Sequence, residues 1–403
     1  MDSQERSPVM ALPPAEGVGA RIAAARRSRR LTQQELSAHA AVSVSMLKKV
    51  ESGQRTPSDD VLDAISRALD VDSARLLGTV VHTGSRIHAA IPAIRLAIDA
   101  YDVPSDGPVR SLRSQRRAVA ELEGWRLGSQ YTSITEKAPE LLAELARALH
   151  ARSGPERLET AALLAAAYRS ADAVAYKSGY TDLSARLVDL VRSTARLAED
   201  PLLDAMAAYV RTEVFFLHRS EAGLQVGLRA LEQAVDAAPA PVDPVSRAAL
   251  GALHMRAAVV AGRLADSDGA RQHMTEARRM AEAVREGVYL GTAFGPDSYR
   301  VHEIAVAVEL REGARAVRTA GEWRPPADLP AERRSHFHID LARAQLWQGM
   351  TGEAFDSLQT ARRIAPQHVR EHPQVRETLR SLVRADRRGR QELLSYAEWA
   401  KAI

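Results

Sequence analysis

From Leu31 to Pro57 the chain reads LTQQELSAHAAVSVSMLKKVESGQRTP, with its apolar residues recurring at helical spacing in two short blocks. Thr32 followed three residues later by Glu35 has the form of a capping box, which predicts a helix starting at Gln33 whose apolar face opens at Leu36. The small residues Ala38, Ala40 and Ala41 allow the chain to turn closely. Ser43 then caps a second helix that sends Met46, Leu47 and Val50 inward and leaves Val44, Ser45, Lys48 and Lys49 on the opposite face. Gly53 supplies a left-handed end to that helix, and Pro57-Ser58 opens the next. Two short helices around a tight turn, polar and basic on one side, have the dimensions of an element that enters the DNA major groove.

The pattern on either side differs. Residues 1–17 show no hydrophobic period and carry Pro8, Pro13 and Pro14, which predicts a disordered arm. After a short connector at Gly78 to Thr83, the apolar residues of His88 to Tyr101 fall at helical spacing and predict a helix coupling two domains. The proline, serine and glycine of Asp102 to Arg116 mark either an ordinary surface loop or a hinge. From Ala118 onward almost every segment is a helical pattern and no strand is expected. Representative stretches are Leu158 to Ser178, Pro201 to Leu217, Ala248 to Ala261 and Arg333 to Gln348, broken by Gly154-Pro155, Gly179, Asp200-Pro201, Gly295-Pro296 and Gly349. Helix pairs with short joints predict an α-solenoid. Ala342, Gly349, Ala354, Ala361 and Pro366 stand at the offsets of a tetratricopeptide repeat. Ala185, Ala222, Ala270, Ala316 and Ala354 align with the same small position, at intervals of roughly 40 rather than 34 residues. Close approach of paired helices requires a small residue there, although an unrelated all-helical array has the same need. The expected architecture is all-α: an arm at 1–17, a five-helix DNA-reading domain at 18–78, a linker with its coupling helix at 79–117, and a tetratricopeptide-like solenoid at 118–403.

At the residues of the first block the sequence resembles the phage-repressor, or Xre, class of helix-turn-helix domains. The resemblance covers Gly19 to Gly78 and rests on the Arg-rich segment Arg21 to Arg30, Leu31-Thr32-Gln33-Gln34-Glu35-Leu36, Val42-Ser43, Leu47, Glu51-Ser52-Gly53, Pro57, Ala68-Leu69-Asp70-Val71 and Leu76-Leu77. Ala41 departs from the pattern, since the family usually has glycine at the turn. The resemblance implies that Gln33 touches a phosphate or an outer base, that Ser43, Val44, Ser45 and Lys49 face base edges, and that Arg26 pairs with Glu51 as an internal scaffold. Lysine at 49 can donate to guanine O6 or N7, Ser45 can pair with several bases and Val44 can contact a thymine methyl. Lys48 and Arg55 are better placed for phosphates, which fix register without reading sequence.

The plan as a whole resembles a group of actinobacterial transcription regulators in which an Xre reader precedes a long tetratricopeptide-like region. Ala175-Tyr176-Lys177-Ser178-Gly179-Tyr180, Phe294-Gly295-Pro296 with His302, and Ile364-Ala365-Pro366-Gln367 look like that group's recurring segments. The likeness implies an array that binds a signalling peptide or small molecule and dimerises the protein.

Charge sharpens the picture. The net charge is only +4, yet between Gly19 and Ser58 the basic residues Arg21, Arg26, Arg27, Arg29, Arg30, Lys48, Lys49 and Arg55 face only Glu35 and Glu51. The positive field is therefore local to the reader. The chain has no cysteine, which rules out disulfides, thiol nucleophiles and cysteine zinc sites. No apolar run is long enough to span a bilayer and the N-terminus lacks the pattern of a signal sequence, so a soluble, cytoplasmic, nucleoid-associated protein is expected, with no membrane partner. Walker, dinucleotide-type glycine and Gly-x-Ser-x-Gly motifs are missing, so neither catalysis nor a cofactor is expected.

In the second half, Arg300 and Glu303 share one helix face, as do His336, Asp340 and Arg343. These five are candidates for a charged peptide or metabolite, the alternative being solvated surface with interhelical ion pairs. No metal site is expected: His336 and His338 are two apart and diverge on a helix, while His368 and His372, four apart, are flanked by Pro366 and Pro373. Two functional readings result. One is a sequence-specific, dimeric transcriptional regulator that binds an operator and responds to an effector. The other is a protein-interaction adaptor whose helix-turn-helix tethers it nonspecifically to DNA.

Overall fold

The computed structural model describes residues 17–29, 31–69, 71, 76, 85–218, 220–386 and 389–403. The chain divides into two compact units, residues 1–81 and 82–403. The expected disordered arm, apart from Gly17, and the expected connector at 78–83 lie outside the described residues.

In the first unit, helices α1 (Val18–Ser28), α2 (Gln33–His39), α3 (Val44–Glu51) and α4 (Asp59–Leu69) surround Ile22, Leu36, Leu47, Val50, Leu62, Ile65 and Leu69. Each of these side chains is removed from water, the term that offsets the loss of chain entropy in so small a core. Local sequence sets the ends. Glu35 N donates to Thr32 Oγ1 while Thr32 N donates to Glu35 Oε2 at 2.7 Å, completing the capping box, and Met46 N donates to Ser43 Oγ at 3.1 Å. Between the two helices Ala41 takes φ +52°, the left-handed conformation the turn demands. Most of the expected fifth helix falls outside the described residues. Leu76 is helical and buried, and its carbonyl accepts from Arg21 Nε at 2.8 Å.

The second unit is helical with one small exception. It runs through α5 (Ser85–Asp99), α6 (Leu112–Leu127), α7 (Tyr131–Ala151), α8 (Gly154–Lys177), α9 (Thr181–Leu197), α10 (Pro201–His218), α11 (Glu221–Ala237), α12 (Pro244–Arg263) and α13 (Ser267–Ala281). Strands β1 (Gly287–Tyr289) and β2 (Thr292–Phe294) follow, then α14 (Pro296–Glu309), α15 (Gly313–Ala320), α16 (Ala331–Trp347), α17 (Thr351–Ile364), α18 (Pro366–Glu371), α19 (Pro373–Ala385) and α20 (Gln391–Trp399). Consecutive helices form the units of a tetratricopeptide-like array: α8 with α9, α12 with α13 and α16 with α17 make the most extensive contacts. Ala270, Ala316, Ala342, Ala354 and Ala361 are fully buried at such junctions. Ala222 is exposed, so its alignment with the small position does not hold, and Gly227 is the residue of α11 that meets the Phe215 ring. Among the described residues, no helix is long and apolar enough to cross a membrane.

The helix expected over His88 to Tyr101 forms as α5, within the second unit, where it adds Ile87, Ile91, Ile94, Ala97 and Ile98 to a core shared with α7 to α9. The hairpin β1–β2 overturns the reading that strands are absent. Its antiparallel pairs, Gly287 with Phe294 and Tyr289 with Thr292, enclose a two-residue turn at Leu290 and Gly291, both at positive φ as in a type I′ hairpin. Three residues per strand are too few to display a period of two. Tertiary contacts hold the tip instead: Arg169 Nη1 donates to the Leu290 carbonyl at 2.9 Å and Arg126 Nη2 to that of Gly291 at 2.5 Å.

Candidate nucleic-acid interface and interior polar cluster

The outer face of α3 is polar and open. Leu47 and Val50 turn into the core, while Ser45, Lys48 and Lys49 are exposed and Val44 is half-buried. Val44, Ser45, Lys48 and Lys49 line a shallow depression together with Ser52 and Gln54, two residues not among the expected DNA contacts because they follow the helical block. Arg55 is also exposed, and its backbone N–H donates to the Lys49 carbonyl at 3.1 Å. Ser43 is exposed, but its hydroxyl oxygen is engaged as the cap of α3, which leaves its O–H to donate.

Beneath this face α1 and α3 are tied by an ion pair. Arg26 Nε and Nη2 donate to Glu51 Oε1 and Oε2 at 2.7 and 2.9 Å, and Arg26 Nη1 donates to the Leu31 carbonyl at 2.8 Å. Gln33 Nε2 adds a third donor to Glu51, at 2.7 Å. Gln33 is thereby oriented from below, with its amide oxygen left to accept. Burial by itself would push the Glu51 carboxyl up, but the hydrogen bonds from Arg26 and Gln33 and the Arg26 charge outweigh it and hold the group below the usual carboxylate range.

A fixed pair of short helices, capped at both N-termini and presenting an exposed basic face, defines a helix-turn-helix DNA-binding domain. Residues 22–76 match the family model described as Helix-turn-helix, the Xre-like class. No curated protein matches the chain. Among solved structures, Bacillus thuringiensis PlcR, in complex with the peptide PapR7 and DNA, aligns at 15% identity over 67% of this chain and 95% of its own, with a TM-score of 0.28. The apo competence regulator ComR of Streptococcus vestibularis aligns at 14% identity over 92% and 98%, with a TM-score of 0.26. The SHP pheromone receptor Rgg2 of Streptococcus dysgalactiae aligns at 10% identity over 86% and 99%, with a TM-score of 0.20.

Within the second unit, α8, α10, α12, α14 and α16 send polar side chains into a common interior. Arg333 Nη2 donates to Tyr209 Oη at 3.0 Å and Arg333 Nη1 approaches His302 Nε2 at 3.2 Å. The Arg256 guanidinium lies 3.9 Å from the centre of the Tyr209 ring, with Arg169 at 5.6 Å. Lys177 Nζ stands 4.0 Å from Glu332 Oε1. None of Arg169, Tyr209, Arg256 or Arg333 was singled out by sequence, because a solenoid's inner face is set by the phase of each helix against its neighbours.

The five sequence candidates separate into three places. Arg300 stacks on Trp323 at 4.7 Å, and Glu303 acts electrostatically on Tyr299 and Arg278. Arg343 donates to both Asp340 and Glu309 at 3.2 Å, and Arg263 also reaches Glu309 at 3.3 Å. Burial pushes the Asp340 carboxyl up to about 6 against the pull of Arg343. His336 belongs to a different group, its ring centre 4.6 Å from that of His368 and 5.2 Å from that of His372. The flanking prolines do not separate these histidines: Pro366 opens α18 and Pro373 opens α19, which leaves His368 and His372 one turn apart along α18 and its C-cap.

Proposed function

We propose that the chain is a sequence-specific transcriptional regulator that acts as a homodimer on a two-fold operator in the bacterial nucleoid. The single observation that carries this reading is the exposed face of α3, where Ser45 and Lys49 stand clear of the core that fixes Leu47 and Val50. Two such faces related by a two-fold axis would meet half-sites about 34 Å apart, or a multiple of that. The interior cluster around Tyr209, rich in arginine, supports an effector with an acidic group, either a peptide or a small molecule. Such a ligand changes operator affinity tenfold if it prefers one arrangement of the dimer by about 1.4 kcal/mol.

The test is genomic footprinting of the full chain, followed by anisotropy titrations on a recovered site and on random DNA at several salt concentrations. A preference for the recovered site that disappears in Ser45→Ala and Lys49→Ala supports the regulator. Uniform, purely salt-controlled binding of the unmutated protein sinks it and favours the nonspecific tether of an adaptor.

A further inference from the structure

We infer that His336, His368 and His372 form a binding site for one divalent transition-metal ion of the zinc class, with three imidazole ligands and an open fourth position. One nitrogen from each ring lies within 4.8 Å of the other two. The ring centres are separated by 4.6, 5.2 and 5.2 Å. Three imidazoles on a tetrahedral ion, each bonded at about 2.0–2.1 Å, have their centres about 5 Å apart.

The available nitrogens agree with that geometry. His368 Nε2 and His372 Nδ1 are shielded from solvent and have no hydrogen-bond partner, a costly arrangement for polar groups unless something occupies the space between them. His368 Nδ1 lies 3.1 Å from Tyr131 Oη. When Nδ1–H donates to that oxygen, Nε2 keeps its lone pair for a metal, the outer-sphere arrangement typical of ligating histidines. Burial favours the neutral, ligating form of all three rings. Of the cations that act on these rings, Lys177 is paired with Glu332, one turn before His336 on α16, and Arg343 with Asp340 and Glu309. An all-nitrogen donor set selects zinc, cobalt, nickel or copper over magnesium or calcium.

The site also joins distant parts of the second unit. Besides the Tyr131 contact, Thr132 N donates to Gln367 Oε1 at 3.2 Å, so the start of α7 is held against α18. An ion on His368 would fix that contact and stiffen the array where it closes on itself.

The experiment uses the full chain stripped with a chelator and titrated with Co²⁺, then Zn²⁺, with Mg²⁺ as the control. The expected result is one equivalent of Co²⁺ with the visible absorption of a tetrahedral nitrogen site, displaced by Zn²⁺, and a rise in Tm with Zn²⁺ but not with Mg²⁺. His336→Asn and His372→Asn should each weaken binding at least about 100-fold, and Tyr131→Phe, which leaves the ligands in place, by about tenfold. Metal-free melting curves establish that the variants fold, and the Tyr131→Phe shift stands as a separate reading if either histidine variant does not. Absence of saturable Co²⁺ binding, or unchanged affinity in folded His336→Asn and His372→Asn proteins, overturns the proposal.

Discussion

Arg26 of α1 and Glu51 at the end of α3 are joined at two points, 2.7 and 2.9 Å, with side chains only 13% and 6% exposed. Such a pair stabilises less through its own attraction than it destabilises when halved, because the remaining charge is left without a partner. Glu51→Gln should therefore cost the first unit about 3 kcal/mol, read by hydrogen exchange of peptides from α1 and α3. Acid should act in the same direction. The folded carboxyl lies below its ordinary value, so the unfolded chain binds the proton more readily. The contribution is complete above about pH 4.3 and is lost as pH falls through the folded value. Exchange in α1 and α3 should rise over that acid range in the native protein, and this component should be missing in Glu51→Gln.

Ala41 occupies the left-handed region at φ +52° in the turn between α2 and α3. A side chain there meets the following carbonyl, at a cost of about 1 kcal/mol relative to glycine. Ala41→Gly should raise the stability of the first unit by about that amount while leaving DNA affinity unchanged within twofold. Exchange protection and anisotropy measure the two effects separately, and a loss of stability would show that the turn is held by contacts of the methyl group instead.

The reader was legible in the sequence because its signals are local. Thr32, Glu35, Ser43 and Gly53 each declare a helix end within four residues, and each takes the role its chemistry suggests. Helix positions in the array were legible for the same reason. The missing parts are long-range. Gln33 of α2 binds Glu51 at the end of α3, Leu290 and Gly291 turn where Arg169 and Arg126 receive their carbonyls, and His336 meets His368 only when α16 and α18 are brought together. No spacing within a single helix encodes those meetings.

On the proposed DNA face of α3, position along the helix should separate base reading from phosphate positioning. Lys49→Ala should cost about 1–3 kcal/mol on the operator and relax preference at one base pair. Lys48→Ala should weaken all sequences alike and lower the salt slope by about 1. Salt-dependent anisotropy on matched operator and random duplexes distinguishes the two. If both substitutions act uniformly, neither lysine reads bases.

Tyr209 should titrate in the second unit as an acidic phenol. Burial would raise it, yet Arg256, Arg333 and Arg169 together bring it down to about 8. Its folded value is thus below the ordinary tyrosine value, so ionisation adds stability as pH rises from about 8 towards 10, and that increment is lost as pH falls back through 8. Ultraviolet titration should reveal one tyrosinate near pH 8 that vanishes in Tyr209→Phe and moves upward in Arg256→Met. A titration in which every tyrosine ionises above pH 10 would contradict the cation cage.

The hairpin rests on a glycine for reasons of space. A Cβ at Gly251 of α12 would lie 1.9 Å from Cζ of Phe294, a ring that is fully buried at the end of β2. The ring meets α12 backbone where any larger residue would stand, so the methyl of Gly251→Ala must displace Phe294 and with it the tip held by Arg169 and Arg126. Overpacking of this kind costs about 1–3 kcal/mol and, with Phe294 fully buried, should exceed the roughly 1 kcal/mol gained from the better helix propensity of alanine. Urea unfolding should show that loss. Phe294→Leu alone should also destabilise, by vacating part of a packed site. Combined with Gly251→Ala, however, it should cost less than the two changes summed, since the smaller side chain makes room for the methyl. Strict additivity would mean that the two positions do not compete for the same volume, and the close approach would then have no energetic role in seating the hairpin.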